Sequence, residues 1–206
     1  SVSYANAPNF WDYTPVIQQP TVSNAKFGGT CVVYNGQYWL AVGQDGFYAG
    51  QNVFSSYDGL TWTLVNATGN YDTTFTTIAW IDDYSVIPPS NYWIAVGGGS
   101  NTTSILTSPD GVTWTSTGQS FGLAGLDVKW DGKQYIVATG IDSSITTPVS
   151  ALSGSARVYD TLGGTWTTPN FLDDTFNALT FFTPYSVATD GTVWIICGYG
   201  ADTSSN

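Results

Sequence analysis

The residues available for chemistry are few in kind. The 206-residue chain carries fifteen Asp and no Glu, His or Met, four cations (Lys26, Lys129, Lys133, Arg157) and two thiols, Cys31 and Cys197. Without His, the Ser-His-Asp and Cys-His arrangements of nucleophilic catalysis are absent. Zinc and redox-metal sites built from His and paired Cys lack their donors for the same reason. Carboxylate chemistry remains, because two separated Asp can flank a glycosidic bond. The visible doublets are Asp82-Asp83 and Asp173-Asp174, but adjacent carboxylates in loops are ordinarily just solvated. Calcium held by Asp and backbone carbonyls stays open, with no Asp-x-Asp-x-Asp pattern to support it. No other cofactor is expected.

The shortage of cations also sets the partners. A net charge of −11 with four basic residues argues against nucleic acid, which needs clustered Lys and Arg. Anionic membrane surfaces are disfavoured on the same ground, and no apolar run approaches the roughly 20 residues of a membrane-spanning helix. A Thr-, Ser- and Asn-rich acidic surface reads as extracellular or particle-displayed. The missing initiator Met and signal-like segment are read as a processed or trimmed start at Ser1. Asn66-Ala67-Thr68 and Asn101-Thr102-Thr103 are glycosylation acceptors in a eukaryotic secretory setting. Cys31 and Cys197 allow one disulfide or serve as two small buried apolar residues.

The elements that must position any site follow from a repeat. Ser56-Tyr57-Asp58-Gly59-Leu60-Thr61-Trp62 returns as Ser108-Pro109-Asp110-Gly111-Val112-Thr113-Trp114, and a worn copy ends in Gly164-Thr165-Trp166. A second phrase lies between copies: Trp39-Leu40-Ala41-Val42-Gly43, Trp93-Ile94-Ala95-Val96-Gly97, Tyr135-Ile136-Val137-Ala138-Thr139-Gly140 and Trp194-Ile195-Ile196-Cys197-Gly198. Each reads as a strand buried on both faces. Asn35-Gly36, Asp131-Gly132 and Asp190-Gly191 precede it as two-residue hairpin turns; the second copy instead has an insert from Asp82 to Asn91. Before the turns, first strands end in Tyr34, Trp80, Trp130 and Phe181-Phe182, and third strands are expected at Val53–Ser55, Ile105–Thr107 and Ala156–Val158.

Four strands in each repeat of about 50 residues are the pattern of a β-propeller blade. The expected fold is all-β, a single propeller domain over 1–206 with four blades of four antiparallel strands. The blades are 27–66, 74–118, 121–168, and 176–206 completed by 1–14. Trp11 precedes Trp62 by nearly one repeat, so the N-terminal hairpin is expected to close the last blade two strands plus two, removing exposed edges. The same hairpin could instead complete a neighbouring subunit and give a filament or larger ring.

Ser-x-Asp-Gly-x-Thr-Trp resembles the Asp-box, or BNR repeat, of sialidases, sortilin-type receptors and many secreted or virus-encoded propellers. The copies here are one residue shorter between Asp and Trp than the usual Ser-x-Asp-x-Gly-x-Thr-Trp. The resemblance implies a turn between third and fourth strands, remote from any active site. Ser56, Asp58, Gly59 and Trp62, with Ser108, Asp110, Gly111 and Trp114, would be its structural residues. Asp would accept backbone amides, Gly would turn left-handed, and Trp would pack between blades. In the third copy Asp160 is displaced, and at the N-terminus Ala7-Pro8 replaces Asp-Gly. Sialidase chemistry does not carry over, since the chain has one Arg and no Glu.

All nine Trp sit at repeat positions, so packing accounts for them better than sugar stacking. Trp11, Trp62, Trp114 and Trp166 open fourth strands, Trp39, Trp93 and Trp194 open second strands, and Trp80 and Trp130 end first strands. Loops after second and fourth strands share one face, and a rigid scaffold usually binds through its loops. The candidate ligand residues there are Asp45, Phe47, Tyr48, Tyr71, Asp72, Asn101, Asp142, Phe171, Asp173, Asp174, Tyr199 and Asp202. The leading functional reading is a non-enzymatic extracellular or particle-surface module that binds a glycan or protein through that face. A structural protein of a fibre, shell or virion is second, with self-association, and an Asp-dependent glycosidase third.

Overall fold

Asn-Gly and Asp-Gly pairs between short apolar runs fold the chain into antiparallel hairpins. In the computed structural model, which describes residues 27–45, 53–65, 67–69, 74–84, 90–98, 104–141, 156–169 and 182–200, every regular element is a strand. Unit 1 is β1 (Phe27–Tyr34), β2 (Trp39–Asp45), β3 (Val53–Ser56) and β4 (Thr63–Leu64). After β5 (Thr68–Gly69), unit 2 is β6 (Thr74–Asp83), β7 (Ser90–Gly98), β8 (Ile105–Ser108) and β9 (Thr113–Ser116). Unit 3 is β10 (Ala124–Trp130), β11 (Tyr135–Ile141), β12 (Ala156–Asp160) and β13 (Thr165–Thr167). Unit 4 contributes β14 (Phe182–Thr189) and β15 (Trp194–Gly200). Within each unit neighbouring strands pair antiparallel in chain order.

The turns differ from two-residue hairpins. Residues 35–38, 131–134 and 190–193 each link two strands, and the leading Asn or Asp closes the link with its side chain. Asn35 Oδ1 accepts the amides of Gln37 and Tyr38 at 2.9 Å each. Asp131 Oδ1 accepts those of Lys133 and Gln134 at 2.8 Å each, and Asp190 Oδ1 those of Thr192 and Val193. Such Asx turns compete well with a tighter backbone turn.

Several expected strand ends move. Phe182 opens β14 rather than closing it, because the strand runs on to pair Thr189 with Trp194. Trp80 lies inside β6, which continues to Asp83, and Trp93 is fourth in β7, not first. Their pairing persists through Asp83↔Ser90, so the insert is shorter than Asp82 to Asn91. Trp62 sits one residue before β4. Every first strand has a bulge at one place: Gly29/Cys31, Phe75/Thr77, Gly125/Asp127 and Pro184/Ser186. Aligned on these bulges, the counterpart of Trp39, Trp93 and Trp194 is Ile136, not Tyr135.

The units stack into a curled antiparallel sheet. β6 lies on β1 and β2, β10 on β6 and β7, and β14 on β10 and β11. One core fills the joint of units 1 and 2 with Leu40, Val42, Phe75, Ile78, Trp93 and Trp114. Another fills the joint of units 2 and 3 with Ile81, Ile94, Val96, Val128 and Ile136. Alternation along a strand sends successive side chains to opposite joints, so one strand feeds both cores. A bridge Ala124↔Gly98 and the parallel pairing of β5 with β9 tie adjacent units edge to edge.

Both thiols are free: Cys31 is half-buried and Cys197 exposed. The allowed disulfide is therefore not formed, and Cys197 is not a buried apolar residue either. Cys31 instead turns its Sγ toward the carbonyl of Ile78 at 3.7 Å, against the core shared by units 1 and 2. β15 also departs from the expectation of burial on both faces, because Ile195 and Cys197 are exposed. Residues 1–14, expected to complete unit 4, lie outside the described residues.

Candidate functional site

The repeated Ser-x-Asp-Gly stretch forms the same turn twice. Asp58 Oδ1 accepts the amides of Leu60 and Thr61 at 2.8 and 2.7 Å, and Ser56 Oγ accepts that of Gly59 at 2.9 Å. Asp110 and Ser108 repeat this with Val112, Thr113 and Gly111. Gly59 and Gly111 sit at φ 73° and 74°, a region that disfavours side chains with a Cβ. Trp62 and Trp114 each donate Nε1 to the glycine carbonyl, at 3.3 and 3.2 Å. In the displaced third copy, Asp160 Oδ1 accepts the Leu162 amide and the Gln134 side-chain amide. Asp oxygens so engaged hold turns and are poorly placed for ligand chemistry.

These bonds predict an acid response. The amides of Thr61 and Leu60 hold Asp58 well below the ordinary carboxylate range. For Asp110 partial burial pushes upward, and the amides of Thr113 and Val112 more than reverse it. The Gln134 amide lowers Asp160, and the Val193 and Thr192 amides lower Asp190. Unfolded carboxyls therefore protonate first as pH falls. The stabilisation is complete above about pH 4 and is lost as pH drops through the folded values. The double variant Asp58→Asn, Asp110→Asn should lose less of its urea midpoint between about pH 4 and about pH 2 than the parent does. Identical acid slopes for the two proteins would remove the turns as the cause.

On the side of the molecule formed by these turns, clefts open between units among the described residues. One of about 670 Å³ lies between units 2 and 3, lined among others by Asp83, Tyr92, Ser108, Tyr159, Thr161 and Trp166. Ile94 and Ile136, both buried, contribute apolar lining. Tyr159 and Trp166 stack on paired strands β12 and β13 with ring centroids 5.0 Å apart. Burial, then the neighbouring Tyr159 and Asp83, push the Tyr92 phenol far up, so it stays protonated and able to donate. Asp83 is buried. Thr161 Oγ1 is a buried atom without a hydrogen-bond partner, a donor and acceptor unclaimed by the protein. A cleft of about 650 Å³ between units 1 and 2 is lined by Tyr38, Trp80, Asp82, Tyr84 and Asp110, and a smaller one of about 160 Å³ adjoins it around Tyr57 and Val65.

The Asp82-Asp83 doublet is divided by strand alternation. Asp82 is exposed to the unit 1–2 cleft and Asp83 is buried at the unit 2–3 cleft, so the two do not face a common substrate bond. Among the described residues no group of three Asp or Cys could hold a metal ion. Of the expected ligand residues, Asp45 ends β2 and Tyr199 lies in β15. Phe47, Tyr48, Tyr71, Asp72, Asn101, Asp142, Phe171, Asp173, Asp174 and Asp202 lie outside the described residues, as does Asn66. Of the cleft-lining residues, Asp83 stands out in the sequence only as half of a doublet and Trp166 only as a packing residue, while Tyr92 and Tyr159 belong to no motif. The usable signal was alternation: Tyr92 stands two before Ile94 and so shares its face.

Among the described residues no cation lines this cleft. Lys129 pairs with Asp127 at 2.7 Å, Lys133 donates to the Gly191 carbonyl, and Arg157 donates to the Ala156 and Ser120 carbonyls beside the Phe121 ring.

No family model matches the chain, and no curated protein matches it. Solved structures do. The crystal structure of the computationally designed Ika4 protein is 14% identical, with a TM-score of 0.48 over 87% of this chain and 91% of that one. The computationally designed Ika8 protein is 13% identical, with a TM-score of 0.43 over 84% of this chain and 43% of that one. At these values the likeness carries no argument about blade number or function.

Proposed function

We propose that the chain is a four-bladed propeller of the Asp-box type whose last blade is completed by residues 1–14, and that it is a non-enzymatic module recognising a neutral glycan. The observation that carries the binding reading is the cleft between units 2 and 3. It joins a Tyr159–Trp166 aromatic pair to a protonated Tyr92 phenol, a buried carboxylate and several Ser and Thr hydroxyls. Sugar rings offer apolar C–H faces to aromatic rings and hydroxyls to such donors and acceptors. The Asp83 carboxylate in the lining and the chain's net charge of −11 disfavour sialylated, sulphated or uronic sugars. An extracellular or particle-surface setting suits this ligand and the acidic surface.

The test is a glycan array followed by titration of the best neutral hit. Trp166→Ala should weaken that hit on the order of tenfold or more, about 1.4 kcal/mol, while Trp166→Phe keeps most of the affinity and both variants keep the parent's circular dichroism. A folded protein with no array signal above background would overturn the reading.

The alternative of an assembly protein of a fibre, shell or virion draws on a different observation. The two ends of the stack present uncovered apolar residues, Val32 and Tyr34 on β1 and Ile195 on β15.

A further inference from the structure

Tyr38 and Tyr92 occupy the same place in two units, and their surroundings differ. Each directly precedes the tryptophan of its second strand, Trp39 or Trp93. The cleft of about 160 Å³ beside Tyr38 is the counterpart of the one of about 670 Å³ beside Tyr92. Tyr38, Leu40, Val65 and Asp110 line the first where Tyr92, Ile94, Thr117 and Thr161 line the second. Of the two, the second falls in the range of about 300–1,000 Å³ usual for ligand pockets.

Trp93 fills the joint of units 1 and 2. Its buried indole lies 4.8 Å from the Trp80 ring and 5.8 Å from the Tyr38 ring, centroid to centroid. Its Nε1 donates to Tyr38 Oη at 3.0 Å, and Tyr38 Oη donates to the Asp110 carbonyl at 3.0 Å. That pair of bonds crosses the joint and shuts it. The intact turn adds a second seal, since a Cβ on Gly111 would come 2.5 Å from Leu40 Cδ1.

Unit 3 departs from the repeat at each of these points. Ile136 stands where Trp39, Trp93 and Trp194 stand, and it has no N–H to give Tyr92. Tyr159 replaces the turn serine, because it pairs with Ile136 as Ser108 pairs with Trp93. The turn from Tyr159 to Trp166 is one residue longer than that from Ser108 to Trp114. A Cβ on its positive-φ Gly164 would meet nothing within 4 Å. Ile136, Tyr159 and Gly164 all line the same cleft. The worn copy of the motif is the copy that opens a site.

We propose that Ile136 is the specificity-determining residue of this cleft: a neutral sugar ring takes the place that the Trp93 indole holds one joint earlier, and one of its hydroxyls gives Tyr92 the hydrogen bond that Trp93 gives Tyr38. This rests on the glycan reading and adds where the ring lies, what it donates to, and why the counterpart cleft beside Tyr38 does not bind. The Tyr159–Trp166 pair meets the C–H face of the ring. Thr161 Oγ1, unclaimed by the protein, takes a second hydroxyl.

The test compares the full chain with Ile136→Trp, Ile136→Val, Tyr92→Phe and Val128→Trp. Urea unfolding reads the open seat with no ligand present. Enlarging a buried side chain in a packed core ordinarily destabilises, but an indole at position 136 has room waiting for it. The Ile136→Trp midpoint should therefore stay near the parent's. Val128→Trp, equally buried in the same core but away from the cleft, should lower it sharply. Titration of the best neutral hit reads the ligand. Ile136→Trp should abolish its binding, Ile136→Val should keep it, and Tyr92→Phe should weaken it about three- to tenfold, the loss of one neutral hydrogen bond.

An Ile136→Trp midpoint that falls as far as that of Val128→Trp, or a variant that does not fold, overturns the open seat. In that event Tyr92→Phe still reads the ligand's partner, and parent-like affinity there overturns the proposed bond. A kept midpoint with the hit bound as in the parent overturns the placement of the sugar. A parent silent on the array overturns the glycan reading and the sugar together, a result separate from the midpoint.

Discussion

Trp114→Ala is expected to lower the unfolding free energy by about 3–5 kcal/mol, the range for emptying a buried Trp site. Trp114 is 1% exposed, packs against the Phe75 ring at a centroid distance of 4.9 Å, and shares a core with Leu40, Val42, Ile78 and Trp93. Its indole N–H also closes the turn on the Gly111 carbonyl at 3.2 Å. Truncation removes apolar contacts from both sides of the joint between units 1 and 2 and leaves a hole that strands on either side cannot collapse into. A domain with a net stability of about 5–15 kcal/mol would lose much of it. Trp62 makes the same turn bond but is only half-buried, so Trp62→Ala should cost clearly less. The measurement is the urea midpoint and slope of both variants. Equal losses would mean that the turn bond, not the core, sets the cost.

Asp127→Ala is expected to cost about 2–3 kcal/mol, because it strips charge-assisted hydrogen bonds from buried groups. Asp127 sits just past the β10 bulge. Its Oδ2 accepts Ser186 Oγ at 2.8 Å and the Val187 amide at 3.0 Å, while Oδ1 accepts Lys129 Nζ at 2.7 Å and the Val128 amide at 2.9 Å. Val187 is buried, so its amide has no ready replacement in water. The loss should be local as well as global. Hydrogen exchange at Val187 and its β14–β15 neighbours should accelerate before that of units 1 and 2. Uniform acceleration across all units would show that Asp127 is not the fastening of unit 4.

The sites of these two effects were unequally legible in the residues. Trp114 follows from the motif itself, since an aromatic at the end of each turn recurs at a fixed spacing. Asp127 carried no signal. Its counterparts at the bulge are Cys31, Thr77 and Ser186, and nothing local says that one of four equivalent positions uses a carboxylate. The clefts were harder still. Tyr92, Tyr159 and Trp166 come from three strands in two units, and their shared space exists only once those units stack. Taking Asp82-Asp83 as a solvated loop doublet misses the alternation along β6 that sends its two members to different clefts.

By itself the sequence determined the strands and their order. Apolar runs closed by Gly, Asn-Gly and Asp-Gly links, and the Ser-x-Asp-Gly turn act within a few residues, and local hydrogen bonds and φ preferences suffice to set them. Tertiary structure alone decided which face of each strand met which neighbour, because that depends on the bulge that resets alternation in every first strand. It also decided that Cys31 and Cys197 stay apart, that Asp83 is buried while Asp82 is not, and that Val32 and Ile195 are left uncovered. Each of these depends on which unit packs against which, and no short window of sequence contains both sides of a joint.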